Sequence, residues 1–358
     1  MPAPLQESIL VPEETRFRIA AEPAVNALET LLMLAGIEQH SGLGDFLVEA
    51  DNRFPENVLK RNRVVLFGLH YALTPDRSWN SFPAYIDHLA SYDAVALRDK
   101  VIQSYLNMPC QEGIVNPPME IILESPESFL EFLFSRFEQE LVFEEIEREA
   151  YQLLTHPEKM QEVIVSHLRA MWDELLKAEW ERVLPLIEKS VAAFEKIDFT
   201  NMSDEEVMRV VTGQKHEKWS DLFSKVGSVV FVPSAHMGPY LGAFYSENTA
   251  WIIFGARQPQ GVQHGITDLG QAELLVWLSA LSDDTRLRIL GLIRERGELC
   301  AQEIIDILGL SQSTCSRHLR QLTASGYLHE RRQESGKCYN LNLERFTDTA
   351  HAIESYSS

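Results

Sequence analysis

The chain is short of cysteine. Its 358 residues hold four, Cys110, Cys300, Cys315 and Cys338. They are scattered, without the density of a disulfide framework or the Cys-x-x-Cys spacing of a metal clip. There is no run of about 18 apolar residues, so no membrane-spanning helix is expected. No basic stretch leads into an apolar run and a cleavage site, so no signal peptide is expected. Together these absences point to the cytoplasm. A Gly-rich phosphate loop, His-Glu-x-x-His and Gly-x-Ser-x-Gly are also missing. The usual carriers of nucleotide, zinc-protease and esterase chemistry are therefore lacking, and no catalytic residue and no cofactor is expected. Positive charge is scarce as well: 32 Lys and Arg against 53 Asp and Glu give a formal charge of −21, which argues against a chain that binds a polyanion over its whole surface.

What is present is a composition that folds, 45% hydrophobic and 24% charged, at a length that suggests two or three domains. The most informative stretch runs from Leu281 to Leu343. Asp284 to Arg296 places Leu287, Ile289, Leu290, Leu292 and Ile293 at helical spacing, and Gly297 stops it. Ala301 to Leu308 forms a second short helix closed by Gly309. Ser311 is an N-cap for a third, from Gln312 to about Ser325, ended by Gly326. Two short helices joined by a tight Gly-containing turn make a helix-turn-helix.

On the third helix Cys315, Leu319 and Leu322 form the apolar stripe, and Gln312, Ser313, Ser316, Arg317 and Arg320 lie largely off it. No acid occurs between Ser311 and His329. A merely solvated face would carry Glu and Lys; short polar groups with Arg instead suit close approach to a major groove. Tyr327–Arg332 and Lys337–Leu343 read as two strands around Gln333-Glu334-Ser335-Gly336, a wing with Arg331, Arg332 and Lys337 near its tip, placed for phosphate. The expected DNA contacts are Gln312, Ser313, Thr314, Ser316, Arg317, His318, Arg320, Arg331, Arg332 and Lys337. Residues 268–345 contain ten basic and eleven acidic side chains, so nearly all the negative charge lies elsewhere; 311–345 contains six basic and three acidic. The reading surface is locally basic on an acidic body.

The segments LSDDTRLRIL, ELCAQEI and LGLSQSTCSRHLRQLTASGYL resemble, in order and spacing, the winged helix-turn-helix of the ArsR family of bacterial transcription regulators. The resemblance covers about the last quarter of the chain. It implies a homodimer on double-stranded DNA with two-fold symmetry, and repression relieved by an effector. Metal-sensing members continue the ELC segment as Cys-x-Cys; here Gln302 stands at the second position. Some members bind zinc between C-terminal helices, but Asp348, His351 and Glu354 do not match that spacing and read as a solvated face. No metal is expected.

Upstream, Phe17 and Ile19 suggest a short strand and Pro23 to His40 a helix. Helical runs follow at about 56–73, 79–90 and 93–107, a loop at 107–119, and helices from Ser125 to Leu154. Pro157 opens the longest helical segment, to about Ile197, in which Pro185 should produce a kink or a split. Val229–Val232 and Trp251–Phe254 are strand-like and predict a small sheet. AEWERVLPLIEKSV (178–191) and VVFVPSAHMGPYLGAFYSENTAWIIFGAR (229–257) resemble parts of an uncharacterised domain that precedes the reader in some ArsR-like regulators. Between the strands, Ser234, His236 and Tyr240 could line a pocket for a small-molecule effector, or make a turn held by structural hydrogen bonds.

The fold expected is mainly α: a helical sensing or dimerisation domain with a small sheet (1–257), a linker (258–267), a winged helix-turn-helix (268–345) and a C-terminal tail (346–358). The function expected is an ArsR-type transcription repressor, not an enzyme. Two other readings stay open: a metal-sensing repressor of the same fold, and an N-terminal domain with enzymatic or small-molecule carrier activity.

Overall fold

Pro23 opens α1 (Pro23–Ala35), the helix around which the N-terminal half is built. Pro suits a first helical turn because its missing N–H would be unpaired there. Eleven of the thirteen residues of α1 are buried, as expected of a helix that is apolar on nearly all sides. The computed structural model describes residues 16–108, 116–137, 142–213, 218–246, 248–259, 268–333 and 336–357. Residues 1–15, Gly113 of the 107–119 loop, most of the linker 258–267, and the wing-tip residues Glu334 and Ser335 lie outside these.

Helix α1 stops at Gly36, a turn earlier than its periodicity suggested, and continues as a short 3-10 turn, Ile37–Gln39. Around it pack α2 (Asp45–Arg53), α3 (Glu56–Arg63), α4 (Phe82–Ser91), α5 (Ala94–Leu106), α6 (Met119–Ile122), α7 (Pro126–Phe134), α8 (Glu144–Leu154) and α9 (Pro157–Met171). Ser81, Asp93 and Ser125 cap three of these by accepting the N–H of Ala84, Ala96 and Ser128, which fixes the starts the sequence placed near 79, 93 and 125. The expected disruption at Pro185 is a correction. The break falls earlier, as a π-helical turn at Trp172–Leu176, and α10 (Lys177–Phe194) runs through Pro185. Pro185 and Glu181, whose carbonyl loses its partner, are both exposed, so water can take that bond and the helix continues.

After α11 (Asp204–Thr212) and α12 (Lys218–Lys225) comes the sheet. Strands β1 (Phe17–Ile19), β2 (Ser228–Ser234), β3 (Leu241–Ser246) and β4 (Thr249–Gly255) order as β1-β2-β4-β3, with β1, β2 and β4 parallel and β3 antiparallel to β4. Alternate residues serve two cores. Val230, Val232, Trp251 and Ile253 face the helical core around α1. Val229, Phe231, Ala250, Ile252 and Phe254 face a second core with Phe194, Val207 and Phe223. A parallel arrangement covered on both faces explains why β2 and β4 are nearly continuous apolar runs.

The C-terminal part has its own core of Ile289, Ile293, Ile304, Leu319, Leu322 and Tyr327. It comprises α13 (Asp268–Leu281), α14 (Asp284–Arg296), β5 (Leu299–Cys300), α15 (Ala301–Leu308), α16 (Gln312–Ala324), β6 (Leu328–Gln333), β7 (Gly336–Leu341) and α17 (Leu343–Ser357). Residues 346–358, read as a tail, belong mostly to α17, which packs on α13; the Arg345 guanidinium lies 4.5 Å from the Trp277 ring centre. The fold is mainly helical, as the sequence indicated. Among the described residues no helix is long and apolar enough to cross a membrane.

Candidate nucleic-acid interface

Helices α15 and α16 meet across the turn at Gly309, and Ser311 accepts the N–H of Thr314 at 3.2 Å to start α16. Cys315, Leu319 and Leu322 point into the reader core, and Gln312, Ser313, Ser316 and Arg320 are exposed, as the stripe implied. Thr314 and Arg317 are half-buried. His318 is a correction: it is buried, with Nδ1 3.8 Å from Asp283 Oδ1, so it is turned away from the surface that a groove would meet. The apolar stripe is broader than three residues, and His318 and Gln321 fall at its edge. Burial pulls the His318 imidazole below its ordinary pKa, partly offset by Asp283.

Arg286, which sequence reasoning passed over, holds the reader together. Its Nε donates to the Ala280 carbonyl (2.7 Å), Nη2 to that of Ser279 (2.8 Å) and Nη1 to Gln321 Oε1 (2.7 Å). One buried guanidinium thus satisfies the last carbonyls of α13 and fixes the rotation of α16. Strands β6 and β7 form the wing, with β5 on the far side of β7. Arg331 pairs with Glu298 at 2.8 Å and Lys337 with Glu330 at 3.0 Å; both cations, like Arg332, are exposed. The register of β5 on β7 sets Cys300 opposite Cys338, and the two form a disulfide. The scattered spacing of the cysteines, which lacks a disulfide framework, did not point to this single bond. Gln302 donates to Asp306 at 2.8 Å.

The model of the bacterial regulatory proteins of the arsR family matches residues 283–330. The arsenic resistance transcriptional regulator ArsR2 of Pseudomonas putida is 48% identical over 65 residues, 18% of this chain and 56% of its own. An arsenical resistance operon repressor of Staphylococcus xylosus is 38% identical over 72 residues, 20% of this chain and 68% of its own. An uncharacterised HTH-type transcriptional regulator, MJ1325 of Methanocaldococcus jannaschii, is 33% identical over 75 residues and is covered over 84% of its length. The chain belongs to the arsR family of bacterial regulatory proteins. It spans about half the length of the Pseudomonas putida relative, and the family match falls within its last quarter.

The arsR-family reader is docked on the N-terminal domain through its recognition helix. Arg320 Nη1 donates to the Gln39 carbonyl at 2.9 Å. Gln321 lies so close over Gly42 that a Cβ there would sit 2.1 Å from Nε2 and push that side chain aside; Gly42 also has φ +73°, a conformation that favours glycine. Arg257 pairs with Glu273 of α13 at 2.8 Å.

A cavity of about 700 Å³ lies along this junction. One side is N-terminal, with Glu29, Phe67, Tyr105 and Glu147 among its walls; the other belongs to the reader and includes Ser316, Arg320 and Lys337. Burial pushes the Glu29 and Glu147 carboxyls up to about 7 and pulls the His70 imidazole beside them down to about 4. The three side chains suggested for an effector are placed differently. Tyr240 reaches this cavity, although its hydroxyl already donates to the Ser41 carbonyl at 2.7 Å. Ser234 faces a separate cavity of about 120 Å³. His236 is buried, stacked on Phe46, with Nε2 3.0 Å from Glu179 Oε1. Burial alone would raise Glu179, but the close His236 ring and the hydrogen bonds from Arg182 bring its carboxyl down to about 2.

Proposed function

We propose that the protein is a cytoplasmic, dimeric, DNA-binding transcription repressor whose N-terminal domain senses a small-molecule effector. The observation that carries this reading is the double placement of Ser316, Arg320 and Lys337: they belong to the basic surface expected to meet DNA, and they also line the cavity between the domains. A reader that uses those groups on DNA cannot keep them against the N-terminal domain. Docked and DNA-bound forms are then two states of one chain, and a ligand that prefers one shifts the other by linkage. The effector site is assigned to the cavity that Tyr240 reaches; Ser234 and His236 lie apart from it. The dimer interface is assigned to α13 and α17, where Leu275, Leu278 and Ile353 are exposed apolar groups and Leu274 supports them from within. Two readers on one two-fold axis require an inverted repeat with half-sites about one helical turn apart.

Gln312, Ser313, Thr314, Ser316 and Arg317 are assigned to the groove, and Arg320, Arg331, Arg332 and Lys337 to phosphate. Footprinting of genomic DNA with the purified protein defines the operator, and titration against single-base variants tests the roles. Arg317→Ala should cost about 1–3 kcal/mol on the operator and relax preference at one base pair. Arg332→Ala should weaken operator and random DNA alike and lower the salt slope by roughly one unit. If wild-type protein binds random duplex as tightly as its footprinted site, the regulator reading is wrong; if Arg317→Ala keeps full preference at every position, its role is wrong.

A further inference from the structure

Two carboxyls sit in the interdomain cavity without adequate partners. Glu29 is on α1, the most buried helix of the N-terminal domain, and is 3% exposed; Glu147 is on α8 and is 7% exposed. Among the described residues Oε2 of each has no hydrogen-bond partner. Buried polar groups are nearly always satisfied, and a buried carboxyl without a donor is costly. An apolar side chain at position 29 would suit α1 better, so a carboxyl there points to a partner from outside the chain. Gly242 makes room for that carboxyl: a Cβ there would lie 2.5 Å from Glu29 Oε1.

The rest of the wall fits an apolar body. Phe67 and Phe143 stack with ring centres 5.6 Å apart, and Tyr71 meets Tyr105 edge to face at 5.1 Å; all four line the cavity. Glu147 is near enough to Tyr105 to act on its phenol. Arg320 and Lys337 stand on the reader's side, but Arg320 is engaged by the Gln39 carbonyl and Lys337 by Glu330. Neither gives Oε2 of Glu29 or Glu147 a hydrogen bond.

We infer that this cavity binds an organic cation, an amine or guanidine carried on an aromatic body, with its N–H groups donating to Glu29 and Glu147 and its rings against Phe67, Tyr71 and Tyr105. About 700 Å³ lies within the range of sites for drug-sized ligands, and aromatic faces attract cations. An anion would meet two carboxyls, and a neutral hydrocarbon would leave both unsatisfied. This inference deepens the sensing role proposed above and rests on it for its biological meaning, but its test contains no DNA. Failure here would leave DNA reading untouched, and failure of DNA reading would leave the charge preference of the cavity measurable.

The test uses the full chain at pH 8 and two fluorescent probes that differ in one charge, dansylcadaverine and its N-acetyl derivative. Dansylcadaverine should bind saturably, one per chain, with Kd at least tenfold lower than the acetylated probe. The Glu29→Gln, Glu147→Gln double variant should bind both probes equally, with the affinity for the acetylated probe unchanged, which also shows that the cavity is still formed. Should the double variant fail to fold, Glu147→Gln alone should lose at least a third of the preference on a logarithmic scale. Equal affinities on wild-type protein, a preference that survives in the variants, or no binding of dansylcadaverine up to its solubility limit would each overturn the inference.

Discussion

Arg286 is worth more to the reader than its place in a basic-looking helix suggests. It makes three hydrogen bonds in a buried setting, two of them to carbonyls at the end of α13 and one to Gln321 of α16. Arg286→Ala takes the guanidinium from the Ala280 carbonyl and Gln321 Oε1, while the Ser279 carbonyl keeps Ser282 as a donor, and should destabilise the reader by about 3 kcal/mol in urea unfolding. Arg286→Lys should recover little, because an ammonium on a flexible stem does not reproduce a planar fork of donors. A loss under 1 kcal/mol for Arg286→Ala would show that these bonds are not made in solution. Glu29 and Glu147 yield a second prediction. Their carboxyls titrate near 7 in the folded chain against an ordinary value of 4.5. Below that ordinary value both states are protonated and the fold has its full stability from these groups. As pH rises towards 7 the unfolded chain ionises first, so stability falls, and the decline ends once the folded groups ionise too. His70, Arg320, Lys337 and Glu330 share the cavity, so the comparison is with the Glu29→Gln, Glu147→Gln variant. Its melting temperature should decline less than that of wild type between pH 5 and pH 7.5; parallel profiles would contradict the burial of the pair. The exposed face of α16 was legible because a helix face follows from local spacing. The inward turn of His318 was not, because Asp283 and Arg286 reach α16 from about 35 residues upstream and no periodicity reports them.

At the scale of elements, the reader was the most legible part. Asp284–Arg296, Ala301–Leu308 and Gln312–Ala324 start and stop close to where caps and glycines placed them, since a cap is a local hydrogen bond. Helix α2 and strand β3 were less visible. α2 buries only Leu47 and Ala50 of its nine residues, and β3 is a sheet edge with a mixed pattern. The Cys300–Cys338 pair was hidden for a different reason. It exists only because β7 folds back beside β5, across 38 residues of sequence. Closing a loop of that length limits the unfolded chain and is worth about 4 kcal/mol on the entropic account. Oxidised reader should therefore melt well above the same protein in dithiothreitol, and Cys338→Ser should melt with the reduced form under both conditions. Identical melting of the wild type with and without reductant would mean that the bond does not form in solution.

For the whole molecule, the charge balance took on meaning once it was divided along the chain. An acidic N-terminal domain carries a locally basic reader, and the two meet through the helix expected to enter DNA. Sequence could place each surface but not their contact, because Arg320 and Gln39 are 281 residues apart. The same contact makes the account testable in one measurement: hydrogen–deuterium exchange of the full chain with and without its footprinted operator duplex. If the docked and DNA-bound states exclude one another, operator DNA should slow exchange across 312–324 and speed it at 36–44, the N-terminal segment that α16 meets at Gln39 and Gly42. Slower exchange at 312–324 with none of that speeding at 36–44 would mean that the recognition helix reads DNA without leaving the N-terminal domain, and would contradict the account.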